Sequence, residues 1–171
     1  MNKMFLMYLK QNDKSDNDVS KILDTLNQEV LKENRNSYYG SLFGLFHHIT
    51  EANLYFCKLY LQSLPDDVNL NKLKEIVLPP TDFSQENYKQ LRINLPQIDK
   101  ILIDFISSLS NDKLSTSIKI DWYKDRDSVP LHFILNQHIV HGIHHRAQIS
   151  QILDELKIDN DFSGIDIEFM F

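Results

Sequence analysis

The chain carries seven histidines, and six of them fall in two places: His47 and His48 side by side, and His138, His141, His144 and His145 within one short stretch. The seventh is His132. Neutral imidazole is both the commonest protein ligand for transition metals and a group that exchanges protons near neutral pH. His141 and His145 are spaced i, i+4, which on a helix brings two rings onto adjacent turns, near enough to share one ion. At roughly 100° per residue, His138, His141 and His145 lie within about 60° of each other. Ile134, Gln148 and Ile152 share that face, so the histidines interrupt a stripe that points inward. His48 sits on a comparable stripe with Leu45, Ala52, Phe56 and Leu59, and the small residues Gly44 and Ala52 leave room beside it. A pair on one helix and a single ring on another make a three-ligand set, His48, His141 and His145. Three neutral imidazoles would leave coordination positions open for water or substrate. Spacing alone is equally consistent with histidines that simply pack and hydrogen-bond in a core.

The elements that position these residues are helical. Residues 4–31 read as a first helix, with an apolar stripe through Phe5, Leu9, Val19, Leu23 and Leu26. A polar stretch at 11–18 marks either a kink or an exposed face. Residues 34–39 are a connection rich in Asn and Ser, and 41–64 form a second helix closed by Pro65. Residues 66–82 read as a loop with one helical turn near 70–77. A third helix spans 84–109, where Pro96 is expected to kink or divide it. Residues 114–127 are the β-like stretch, with Ile118, Ile120 and Trp122 alternating with polar positions. Ser128 and Pro130 then read as cap and first turn of a fourth helix running to about 157. The apolar end, Phe169 to Phe171, is expected to pack back on the body. The reading is all-α: one domain over residues 1–171, an antiparallel four-helix bundle with a short β-like segment before the last long helix.

Composition sets the outer limits. Of the 171 residues, 42% are hydrophobic and 25% charged, ordinary for a folded domain, while 4 glycines and 5 prolines favour long helices. The net charge of −6, without a concentrated basic face, argues against nucleic acid as a partner. One cysteine, Cys57, excludes an internal disulfide and any multi-cysteine zinc site. The apolar run at the start is too short for a signal peptide and no run suits a membrane span, so a cytoplasmic protein with no membrane partner is expected. No phosphate-binding glycine loop, nucleophile elbow or paired carboxylate stands out, so the sequence names neither a catalytic residue nor an organic cofactor site.

The remaining candidates divide by geometry. His47 falls at the edge of the His48 face, His138 reads as a pocket or packing residue, and His144 points to a neighbouring helix or solvent. Cys57 lies about 180° around the helix from His48, which suits a core or interface thiol. Arg146 and Gln148 read as polar groups that fix helix contacts, and Trp122 and Tyr123 as the wall of a pocket mouth or simple packing.

The stretch His141-Gly142-Ile143-His144-His145-Arg146-Ala147-Gln148-Ile149 resembles the helix-four signature of the DinB-like family of metalloenzymes, His-x-x-x-His-Arg-Gly-Gln-Ile. Residues 39–49, a small-residue lead-in ending in His48-Ile49, and the closing 166–169 are also similar to that family. Ala147 replaces the usual Gly, Asn53 stands where many relatives have Asp, and Phe56 where many have Trp. The resemblance implies a four-helix bundle with a three-histidine site for a divalent metal (zinc, nickel, iron or manganese) on His48, His141 and His145. It further implies a homodimer, and either transfer of a low-molecular-weight thiol or metal-dependent hydrolysis, with thiol transfer favoured. The competing reading is a non-catalytic bundle, a binding or scaffold protein whose histidines merely pack.

Overall fold

The computed structural model describes residues 2–122 and 125–161; the expectations for Tyr123 and for the segment 166–171 lie outside them. Four long helices dominate: α1 (Asn2–Asp24), α3 (Leu42–Ser63), α5 (Gln85–Ser108) and α6 (Leu131–Glu155). Short helices α2 (Gln28–Lys32) and α4 (Val68–Asn71) lie in the connections. Strands β1 (Ser117–Lys119) and β2 (Ser128–Pro130) pair antiparallel, with Ile118 opposite Val129. The chain is thus mostly helical with a small two-stranded sheet. Each long helix packs on two others, α1 and α3 both lying against α5 and α6.

The helix starts follow from side-chain caps. Ser41 accepts from the Gly44 N–H and Ser84 from the Asn87 N–H, each at 3.0 Å, supplying acceptors that the first turn lacks. Ser128 does not cap α6 as expected: it pairs with Lys119 in the sheet, and Pro130 takes the cap position without a side-chain bond. A proline there loses nothing, because its missing N–H would have had no partner in the helix. Pro96 does not divide α5, which runs unbroken through it with Leu95 and Ile98 buried on either side. Packing outweighs the single backbone bond lost.

The expected first helix ends early, at Asp24, and its polar stretch is neither kink nor exposed face. Phe5, Leu9, Asn12, Asp16, Val19 and Leu23 are all buried, at alternating spacings of four and three. One continuous stripe therefore changes from apolar to polar and back. The other long helices do the same at matching heights, so the core consists of two apolar clusters. One contains Phe5, Leu9, Phe56, Tyr60, Phe105 and Leu131. The second contains Val19, Leu23, Phe46, Tyr88, Leu91, Ile149 and Leu153. Between them lies a buried polar layer. Arg146, 1% exposed, donates to Asp16 at 2.8 Å and to Asn12 at 2.6 Å, and Asn53 donates to Asp99 at 2.9 Å. Burial first, then the carboxylates of Asp16 and Asp13, pushes the Asp99 pKa well above the usual carboxylate range.

The clusters also give the helix directions. Phe46 meets Tyr88 near the starts of α3 and α5, and Tyr60 stacks on Phe105 near their ends, so these two neighbours run the same way. The simple antiparallel order expected from the sequence is corrected here: α1 and α6 run from the first cluster to the second, α3 and α5 in reverse. The segment between α3 and α5 must therefore travel back along the body. It is tied down on the way: His47 Nε2 meets the Pro79 carbonyl at 3.0 Å, and Asn94 donates to the Val77 carbonyl at 2.8 Å.

Candidate metal centre

Antiparallel packing of α3 on α6 brings the two histidine groups together. His48 Nε2 lies 3.2 Å from His141 Nε2, which in turn lies 3.1 Å from His145 Nε2. Among the described residues this trio is the one group of three or more His, Cys, Asp or Glu that can present ligand atoms to a single ion. His145 is buried and the other two half-buried, so the nitrogens stand at the edge of the core with a side toward solvent. Neighbouring ligands of a four-coordinate zinc, each about 2.0–2.1 Å from the metal, are about 3.3–3.4 Å apart. The observed separations are close to that, and the donor set is chemically suitable.

The protonation chemistry agrees with the distances. Burial, then the charges His145 and His47 would carry, pushes the His48 pKa down from 6.5 to about 4. His141 is likewise lowered to about 4, by burial first and then His145, His48 and His144. Burial also lowers His145, against the opposing hydrogen bond to Gln148. All three rings are therefore neutral at pH 7 and offer lone pairs. His145 Nδ1 sits 2.7 Å from Gln148 Oε1. With the amide oxygen accepting, the ring proton is fixed on Nδ1 and Nε2 is left as the free donor atom, the usual support for a metal-bound histidine.

A stability consequence follows for the metal-free protein. The unfolded chain takes up protons on His48 and His141 near pH 6.5, whereas the folded protein resists until about pH 4. Between those values these two groups bind more protons in the unfolded state, so their contribution to stability falls as the pH is lowered through the window. Because the raised Asp99 carboxyl acts in the opposite sense over this range, the histidine contribution is read by difference. In chelator, going from pH 7.5 to pH 5 is expected to lower the urea midpoint of the parent relative to that of His48→Phe/His141→Phe. An identical pH response of the two proteins would contradict the depressed pKa values.

The other histidines separate from the trio. His138 is 2% exposed and stacks on Phe56 at 5.1 Å between ring centres, with its pKa lowered to about 3 by burial and then by His141 and Arg146. Phe56 also meets the His141 ring edge-on at 5.7 Å, so it walls the site. His47 is buried rather than at the edge of its face, on the Pro79 carbonyl. His132 faces the Leu114 carbonyl, and exposed His144 lies beside the His145 ring. Cys57 is fully buried, and burial raises its pKa, which suits an inert core thiol. Asn53 belongs to the polar layer. Trp122 is 41% exposed and meets the Tyr55 ring beside a cavity of about 600 Å³ lined by Tyr55, Gln62, Lys119 and Ser128. None of the three clustered histidines lines that cavity.

Two site residues carry no sequence signal strong enough to find them. Gln148 is visible as part of the motif, but its hold on His145 is not. Tyr39 lies in a loop, where no periodicity points anywhere, yet its hydroxyl is 2.9 Å from His48 Nε2 and its ring stacks on His48 at 4.1 Å. The space that Gly44 leaves is filled by this residue: a Cβ at Gly44 would fall 1.9 Å from the Tyr39 carbonyl oxygen.

Two antiparallel helices thus converge three neutral imidazoles at the edge of a helical core, a donor set that could hold a cation. Comparison with known families shows that the chain belongs to the DinB family, whose model matches residues 1–156. No curated protein sequence matches it.

Proposed function

We propose that the chain is a single-domain, DinB-type four-helix-bundle metalloprotein in which His48, His141 and His145 hold one divalent ion, zinc, nickel, iron or manganese. The observation that carries this reading is the convergence of their three Nε2 atoms. When bound, such an ion supplies a Lewis acid that lowers the pKa of a coordinated thiol or water. The protein's own residues do the rest. His48 and His141 stay unprotonated well below neutral pH, Gln148 holds the His145 tautomer, and Phe56 and His138 exclude water on the core side. Of the two reaction classes, transfer of a low-molecular-weight thiol to an electrophile is favoured over hydrolysis. A cytoplasmic homodimer acting on a small molecule, with neither nucleic acid nor membrane as partner, completes the proposal. None of the described helices is long and apolar enough to cross a membrane.

The test is elemental analysis of untagged protein, purified without chelator, beside His141→Ala/His145→Ala. About one ion per chain in the parent and none in the double variant is expected. No metal in either, even after incubation with zinc, nickel or manganese, leaves the alternative of a binding or scaffold protein. That alternative has a foothold in His47 and His138, which are packed histidines of this same core.

Two further outcomes follow from the supporting residues. Gln148→Leu removes the acceptor that orders His145 and is expected to weaken zinc binding about 10–100-fold in a chelator competition. Zinc retention is expected to persist as pH falls through 6.5 and to collapse only toward the lowered values near 4. Release centred near pH 6.5 would contradict that.

A further inference from the structure

We propose that the Tyr39 hydroxyl positions the small anionic ligand that enters the three-histidine site. The inference rests on the metal reading above and adds a residue to it. The Tyr39 ring spans two of the three histidines, stacked on His48 and edge-on to His145 at 5.2 Å. Its hydroxyl is 2.9 Å from His48 Nε2, the same atom that faces His141. With the His48 ring proton on Nδ1, Nε2 has a lone pair that accepts a hydrogen bond from the phenol in the metal-free protein. A cation on Nε2 takes the lone pair away, and the hydroxyl must turn to a new acceptor in the same small space. An anion held at the open side of the site supplies one, and a hydrogen bond to a charged acceptor is among the stronger kinds. The phenol keeps its proton throughout, and no covalent bond changes.

The backbone around Tyr39 shows that the placement is built. Its carbonyl oxygen rests against Gly44 where no other side chain fits, and it accepts from the Ser41 N–H at 2.8 Å. Gly40 supplies the left-handed turn, φ +74°, that carries the chain from Tyr39 into the Ser41 cap. Tyr38, by contrast, is 94% exposed. Tyr39 itself is half-buried, so its hydroxyl is both fixed and reachable from solvent.

The test uses cobalt(II) as the metal and azide as the probe anion, both followed by visible absorption, in the parent and in Tyr39→Phe. The Phe variant keeps the ring and its stacking. Both proteins are expected to take up about one cobalt with affinities within about threefold, while azide binds the variant about tenfold or more weakly. Equal azide affinities overturn the role of Tyr39 and leave the metal reading intact. Loss of cobalt binding in the variant also overturns it, because the phenol oxygen is then a ligand itself. No cobalt uptake by the parent protein sinks the metal reading and this inference together.

Discussion

Arg146→Met is expected to lower stability by about 3–5 kcal/mol, because it leaves the Asp16 carboxylate buried with no counter-charge. The guanidinium is almost wholly enclosed, and both of its terminal nitrogens are committed, one to Asp16 and one to Asn12. Nearby Asp99 adds a second buried carboxyl that burial drives toward its protonated form, so little else offsets a charge at Asp16. For a chain of this size the loss corresponds to a fall of about 10 °C in thermal midpoint. The double variant Asp16→Leu/Arg146→Met separates the worth of the pair from the cost of an orphaned charge. Replacing both partners by apolar side chains of similar size is expected to recover most of the loss. A single variant within about 1 kcal/mol of the parent would mean that the pair is hydrated in solution, contrary to the packing described.

Gly44→Ala is expected to act at two levels. The new Cβ would lie 1.9 Å from the Tyr39 carbonyl oxygen and 3.1 Å from its carbon, and both are backbone atoms that no rotamer change can move aside. Overpacking of this kind costs about 3 kcal/mol, while alanine in place of glycine inside a helix returns about 1 kcal/mol. A net loss of about 2 kcal/mol in urea unfolding is therefore expected. The displaced loop also withdraws the phenol from His48, so in the cobalt protein Gly44→Ala should weaken azide binding as Tyr39→Phe does. A stabilised variant with parental azide affinity would show that the loop does not rest on α3.

Most of the helices were legible because burial here follows the 3.6-residue period. Ser41, Ser84 and the stripes of α1, α3 and α5 mark their own elements. The trio was legible too, since an i, i+4 pair must share a face and the family resemblance supplies the partner. What could not be read depends on contacts distant in sequence. Asn12 and Asp16 look like solvent-facing residues until Arg146, 130 residues away from Asp16, is placed opposite them. Tyr39 looks like loop filler until Gly44 is seen to make room for it. The direction of α5 relative to α3 depends on how the segment between them travels, and a hydropathy pattern carries no such information. Ser128 was misread because cap and strand end favour the same small polar residue, and only the pairing with Lys119 decides between them.

His48 and His141 are 93 residues apart, on helices that meet only when the fold is complete. An unfolded or half-made chain cannot hold the three rings together and offers only local histidines on a flexible segment, a weak chelate. Metal uptake on the reading above is therefore coupled to the last stage of assembly, after α6 has docked on α3. By mass action a ligand that binds only the folded form adds stability in proportion to the logarithm of its free concentration. The protein's lifetime in a cell would then follow metal supply, with the starved form the first to be unfolded and degraded.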